Sequence, residues 1–225
     1  MNEAMIHVFK NKKAVIFDMD GVVIDSEGFW AVAEREVFTS LGAVVTDDYC
    51  RLTQKMTVTE ASAFWFEKYP WKGVSLQEAA ERVVARVMEL IQTEACEIAH
   101  IKPFIQQLKS QGLKIGLATN SPERFIPLCL ERAGIAALFD AVSSADSEAH
   151  CKPHPDVYIT TAKKLQVLPH ECVVIEDSYH GMQAGKSAGM TVIAFTNGNS
   201  NATFDIADHI LDSYLINSMH SDESI

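Results

Sequence analysis

Five short apolar runs, each ending in polar residues and each followed by a helical pattern, set the limits on what this chain can fold into. They are "AVIF" from Ala14 to Phe17, "KIGLAT" ending at Thr119, "DAVSSA" after Phe139, "CVVIED" running into Glu176 and Asp177, and "TVIAF" ending at Phe195. None alternates polar with apolar residues, as a strand with one wet face would. Short β-branched runs of this kind fit a sheet covered on both faces. The segments between them carry helix punctuation. Pro122 and Pro155 stand where a first helical turn tolerates proline, and Gly134 and Gly189 stand where helices stop. Strand, helix, strand, repeated, predicts an α/β fold with a parallel sheet and right-handed crossovers.

One segment breaks the rhythm. From residue 26 to about 99 there are helical patterns and no strand. "EGFWAVAEREVFTSLG" puts Trp30, Ala33, Val37, Phe38 and Leu41 on one face. "SLQEAAERVVARVMELI" does the same with Leu76, Ala80, Val83, Val87 and Leu90, charges opposite. The pattern predicts a helical insertion, 26–99, in a core formed by 1–25 and 100–225. Phe64, Trp65 and Trp71 are expected in the insertion's own core. The tail "NSMHSDESI" is polar and expected to be loose.

Composition excludes several classes. Of the 225 residues, 48% are hydrophobic and 22% charged, a globular balance long enough to bury a core without staples. A net charge of -11 disfavours a nucleic-acid partner. Five scattered cysteines with no CxxC pair argue against a disulfide framework and a zinc site, and point to the reducing cytoplasm. No signal peptide or apolar span is evident, so no membrane is expected. The eight histidines show no ligand spacing and are taken as structural or surface residues.

The polar residues at the strand ends carry the chemistry. In a parallel sheet, ligands bind beyond the carboxyl ends of the strands, near the topological switch point. Those ends bear Asp18 and Asp20, then Thr119 and Asn120, then Glu176 and Asp177, and a loop after "DAVSSA" adds Lys152. Crowded carboxylates require positive charge among them. With an all-oxygen set and no histidine or cysteine in it, magnesium, Mg2+, is the natural candidate. This points to phosphoryl transfer. One aspartate attacks phosphorus to give an aspartyl-phosphate, and its neighbour two residues on protonates the leaving alkoxide and later activates water. Thr119, Lys152 and backbone N–H groups near Ser121 hold the phosphate oxygens. Gly21 permits the turn that brings Asp20 back beside Asp18.

The stretches "DMDGVVIDSE", "LATNS", "KPHPDVY" and "IEDSYHG" resemble, in order, the four motifs of the haloacid dehalogenase superfamily. The resemblance spans nearly the whole chain and implies a Rossmann-like core with a helical cap inserted after the first strand. By it, Asp18 is the nucleophile and Asp20 the general acid/base. Thr119 and Asn120 are phosphate binders, Lys152 is the third-motif lysine, and Asp177 is a magnesium ligand. Glu176 is an acidic neighbour acting on the metal directly or through water. Asp20 serves the metal through its backbone carbonyl. Within the superfamily, "PWKGVSLQEAAERVVARVMELI" is similar to sugar-phosphate phosphatases of the hexitol-phosphatase and 2-deoxyglucose-6-phosphatase kind, in the β-phosphoglucomutase-like subfamily.

The resemblance implies a magnesium-dependent phosphatase for a small sugar or polyol phosphate. The helical insertion is expected to close over the site and exclude water, and a monomer is expected, although no residue pattern sets the oligomeric state. Dehalogenases and phosphonate hydrolases of this type lack the second aspartate, which is present here as Asp20. Two alternatives stay open. One is a β-phosphoglucomutase-type mutase, disfavoured because Trp30 falls where those enzymes carry a histidine. The other is a non-catalytic sugar-phosphate sensor, disfavoured by an intact set of acids. Substrate choice is assigned to the insertion, with "LTQKMTVTEAS" as its polar stretch and Lys55 and Thr57 as candidates.

Overall fold

The computed structural model describes residues 7–53, 56–199 and 204–215. The chain divides into two compact units, one running to Ile24 and resuming at Glu97, the other Asp25–Cys96. The bridge between Ile24 and Glu97 places the boundary one and three residues from the expected positions.

The inserted unit is helical: α1 (Glu27–Ser40), α2 (Asp47–Thr53), α3 (Val58–Lys68) and α4 (Leu76–Thr93). Helix starts follow their capping chemistry. Thr57 accepts from the Glu60 N–H while Glu60 returns a carboxylate to the Thr57 N–H, and Ser75 accepts from Glu78. The core gathers Ala33 and Phe38 of α1, Trp65 of α3 and Val83, Val87 and Leu90 of α4. Phe38 stacks on Trp65 at 5.7 Å between ring centroids. Trp71 is buried as expected, Phe64 is half-buried, and Leu76 lies more exposed than its periodicity implied. A carboxylate enters this apolar set. Glu34 Oε2 accepts from Thr53 Oγ1 at 2.7 Å and Trp65 Nε1 at 3.5 Å. Burial raises its pKa against those two donors.

The other unit is a six-stranded parallel sheet in the order β3-β2-β1-β4-β5-β6. Its strands are β1 (Ala14–Phe17), β2 (Lys114–Thr119), β3 (Ala141–Ser144), β4 (Cys172–Glu176), β5 (Thr191–Phe195) and β6 (His209–Leu211). The first five are the expected ones. β6 is an edge strand of three residues, two of them exposed, and its apolar run is only Ile210 and Leu211, too short to mark it as the others were marked. Helices α5 (Ile101–Ser110), α6 (Phe125–Arg132), α7 (Asp156–Lys164) and α8 (Tyr179–Ser187) supply the crossovers. α6 begins three residues beyond Pro122, because residues 122–125 form a turn closed by the Phe125 N–H on the Pro122 carbonyl at 2.9 Å. The tail from Asn217 and the candidate Lys55 lie outside the described residues.

Register is what assembles the site. Phe17 pairs with both Leu117 and Ile175, so the next residues, Asp18, Ala118 and Glu176, lie level with one another at the carboxyl ends of the three strands. β1 is also where the order reverses, with β2 and β3 on one side and β4 on the other, which is the switch point of such a sheet.

Candidate active site

Asp18 follows the last residue of β1 and is buried, 8% exposed. Its Oδ1 accepts from Lys152 Nζ at 2.5 Å. The ammonium also donates to the Ala118 carbonyl at 2.9 Å and to Glu176 Oε1 at 2.8 Å, so its three protons bind the three level strand ends together. Lys152 lies over the Tyr158 ring, 4.7 Å from its centroid. Its neighbours favour the charged ammonium and hold its pKa above the ordinary lysine value although burial works against them.

Glu176 is fully buried and accepts four hydrogen bonds. Oε1 takes Lys152 Nζ and the Tyr158 hydroxyl at 3.0 Å; Oε2 takes the Ser178 N–H and Oγ, both at 2.9 Å. The pattern makes it the anchor of Lys152 and of the start of α8. It fits there because residue 181 is glycine: a Cβ at that position would lie 1.6 Å from Glu176 Oε1.

Asp20 has a different partner from Asp18. Its Oδ2 accepts from Ser121 Oγ at 2.6 Å, and the Ser121 carbonyl is held by Ser144 Oγ at 2.7 Å. Thr119 is buried, and its Oγ1 accepts from the Ser121 N–H at 2.9 Å. A hydroxyl that accepts in this way retains its own proton for donation. Asn120 is exposed, and its amide clasps the Lys152 peptide: Oδ1 accepts from the Lys152 N–H at 2.9 Å and Nδ2 faces the Lys152 carbonyl at 3.4 Å. Any phosphate contact from position 120 therefore falls to its backbone.

The acids suit a hard divalent cation. Asp18, Glu176 and Asp177 each bring a carboxylate oxygen within 4.8 Å of the other two. Asp177 Oδ2 occupies the place a side chain at Gly21 would take, since a Cβ there would lie 1.9 Å away, and Gly21 has φ +74° besides. Lys152 alone does not balance Asp18, Asp20, Glu176 and Asp177. Burial pushes the Asp18 carboxyl up, Lys152 opposes it, and Glu176 and Asp20 add to the rise. A bound cation reverses that direction. With four donors already on Glu176, Asp18 and Asp177 are the side chains best placed to hold it.

Sequence reasoning named Asp18, Asp20, Thr119, Lys152, Glu176 and Asp177, and the structure brings all six to one end of the sheet. It gave no role to the side chains of Ser121, Tyr158 and Ser178, nor to Gly181. Their signal was available only in part: Gly181 lies inside the "IEDSYHG" stretch, and Ser121 directly follows Thr119 and Asn120. Thr57, a candidate for substrate choice, is engaged as the N-cap of α3. The histidines also differ from expectation, because His150 and His154 come together with Asp156. Among the described residues no helix is long and apolar enough to cross a membrane.

Known proteins are similar to this chain over most of its length. Hexitol phosphatase B of Escherichia coli strain K12 is 38% identical over 202 residues, which cover 87% of this chain and 89% of that one. Phosphorylated carbohydrates phosphatase of Thermotoga maritima is 33% identical over 178 residues, 79% of this chain and 82% of that one. Among solved structures, β-phosphoglucomutase of Clostridium difficile superposes with a TM-score of 0.77 at 27% identity, covering 90% of this chain and 92% of that one. The haloacid dehalogenase-like hydrolase family matches residues 15–195. That span takes in the strand-end acids, Lys152 and, but for Ala14, the first five strands of the sheet, and the chain belongs to the haloacid dehalogenase-like hydrolase family.

Proposed function

We propose that the chain is a magnesium-dependent phosphatase that hydrolyses small sugar or polyol phosphates through an aspartyl-phosphate on Asp18. The separate anchoring of the two aspartates carries this reading. Asp18 is paired with Lys152, whereas Asp20 is held by the neutral Ser121 hydroxyl. Lys152 favours the ionised Asp18 that a nucleophile must be, against the burial that raises its pKa, and a bound cation would act in the same sense; Asp20 is held apart on a neutral partner, as a proton-transfer group requires.

Asp18 Oδ attacks phosphorus and the bond to the sugar oxygen breaks, with Asp20 giving that oxygen its proton. Asp20, now ionised, takes a proton from water; the resulting attack on phosphorus releases orthophosphate and restores Asp18. Thr119 Oγ1 and the Asn120 backbone N–H hold phosphate oxygens, and Lys152, fixed by Glu176, keeps positive charge beside Asp18. Asp18, Asp177 and the Asp20 backbone carbonyl would hold magnesium, which would supply charge to offset the repulsion between carboxylate and phosphate. The substrate class follows the hexitol and phosphorylated-carbohydrate phosphatases that the chain resembles.

The test is orthophosphate release from hexitol, hexose and pentose phosphates, with magnesium and with chelator, for the wild type and Asp18→Asn. Release that needs both magnesium and Asp18 is expected. Faster conversion of β-glucose 1-phosphate to glucose 6-phosphate than release of orthophosphate, with a bisphosphate primer, would make the chain a mutase. Binding without turnover would make it a sensor.

A further inference from the structure

We propose that His150, His154 and Asp156 form a second metal site, for a late first-row divalent cation such as zinc or cobalt, on the outer face of the turn that carries Lys152. The local sequence is "HCKPHPD", residues 150–156. The His154 N–H donates to the Cys151 carbonyl at 2.9 Å and closes a turn with Lys152 inside it. That turn brings two imidazoles four residues apart into contact, with ring centroids 4.4 Å apart. Asp156, the first residue of α7, faces both: Oδ1 is 2.8 Å from His154 Nδ1 and Oδ2 is 3.2 Å from His150 Nδ1.

One nitrogen from each ring and one carboxylate oxygen lie within 4.8 Å of one another. In a tetrahedral site with bonds of about 2.0–2.1 Å, neighbouring ligand atoms stand about 3.3 Å apart, so little movement separates the hydrogen-bonded cluster from a coordinated one. Two imidazoles and a carboxylate suit zinc and cobalt and are poor for magnesium, which prefers oxygen alone. The side chains of His150, His154 and Asp156 are 63%, 49% and 25% exposed, so an ion can enter and water can complete its shell. On binding, each ring carries its proton on Nε2 and turns the Nδ1 lone pair to the ion; Asp156 stays ionised.

The position gives the site a consequence. Lys152 lies between the two histidines in sequence. Its ammonium binds Asp18, Ala118 and Glu176, while its own N–H is held by Asn120. An ion clipping His150 to His154 and Asp156 closes the other side of this turn and slows its opening.

Cobalt chloride titrated into the full chain, in millimolar magnesium to occupy the oxygen site, reads the proposal by visible d–d absorption. One equivalent of bound cobalt, displaced by zinc, is expected. His150→Ala and His154→Ala should each weaken binding by roughly tenfold or more. Zinc should slow amide hydrogen exchange at Lys152 and His154 in the wild type and not in His150→Ala, whose native fold is checked by circular dichroism. Absence of stoichiometric cobalt binding, or unchanged affinity in the His150→Ala/His154→Ala double variant, would overturn the site.

Discussion

Asp18 and Asp20 stand two positions apart in the chain and differ in their hydrogen-bond partners, Lys152 for one and Ser121 for the other. Asp20 is hydrogen-bonded to Ser121 Oγ, and asparagine at this position keeps both a similar shape and the backbone carbonyl. Asp20→Asn should therefore retain magnesium binding while sugar-phosphate turnover falls by a factor on the order of 10²–10⁴, the usual contribution of general acid catalysis. An aryl phosphate needs less help in leaving. Rapid-quench kinetics with p-nitrophenyl phosphate should show a nitrophenol burst and then a slow rate; fast steady turnover without a burst would remove Asp20 from the second step. Gly181 offers a sharper residue-level test. It lies inside α8, where alanine is ordinarily the better helix former by about 1 kcal/mol. Yet a Cβ there overlaps the Glu176 carboxylate that holds Lys152. Gly181→Ala should lower kcat by on the order of 10², the scale of losing an aimed electrostatic group, with helicity maintained. Activity near wild type would show that Glu176 need not sit where it does. The clustered acids were legible because Asp18 and Glu176 each close an apolar run and Asp20 and Asp177 stand within two residues of them. Ser121 and Gly181 were not, since the hydrogen bond that Ser121 makes spans 101 positions and a helical glycine reads only as weakness.

At the scale of elements, strand and helix order followed from apolar runs and their punctuation, and the unheralded pieces are those that tertiary context makes. β6 forms because β5 offers an edge with which three residues can pair in parallel. Glu34 was hidden for the opposite reason: it lies beside the predicted apolar face of α1 and is buried by α2 and α3, which contribute Thr53 and Trp65. Burial raises its folded pKa above the unfolded value. The folded unit thus binds the proton more tightly, so Glu34's contribution to stability is fully present below the ordinary carboxylate range and is lost as pH rises through the folded pKa. Glu34→Gln removes that loss. At pH 7–8 the variant should be the more stable by on the order of 1 kcal/mol, the ordinary size of a single-site change, and the two proteins should converge toward pH 4. Urea titrations across this range check it, and a destabilised variant at pH 8 would mean that the ionised carboxylate is worth more than its burial costs.

Across the whole molecule, the chemistry and the optical reporters fall in different units. Asp18, Asp20, Lys152, Glu176 and Asp177 belong to the α/β unit, whereas all three tryptophans, Trp30, Trp65 and Trp71, belong to Asp25–Cys96. Magnesium that binds only the folded acids stabilises the unit that holds them by mass action, by about 2.7 kcal/mol at a hundred times the dissociation constant. For a unit of this size that corresponds to roughly 5–10 °C in Tm. The helical unit has its own buried core around Phe38, Trp65 and Val87 and contributes no ligand in this account. Scanning calorimetry with magnesium should show the α/β transition rising by that amount and returning with chelator, while the tryptophan fluorescence transition moves much less. Asp18→Asn should reduce the calorimetric shift, since an amide is a weaker ligand than a carboxylate. Equal displacement of both signals would mean that the two units unfold as one, despite their separate cores. No displacement in either would mean that the acids hold no magnesium, and the mechanism through Asp18 would fall with it.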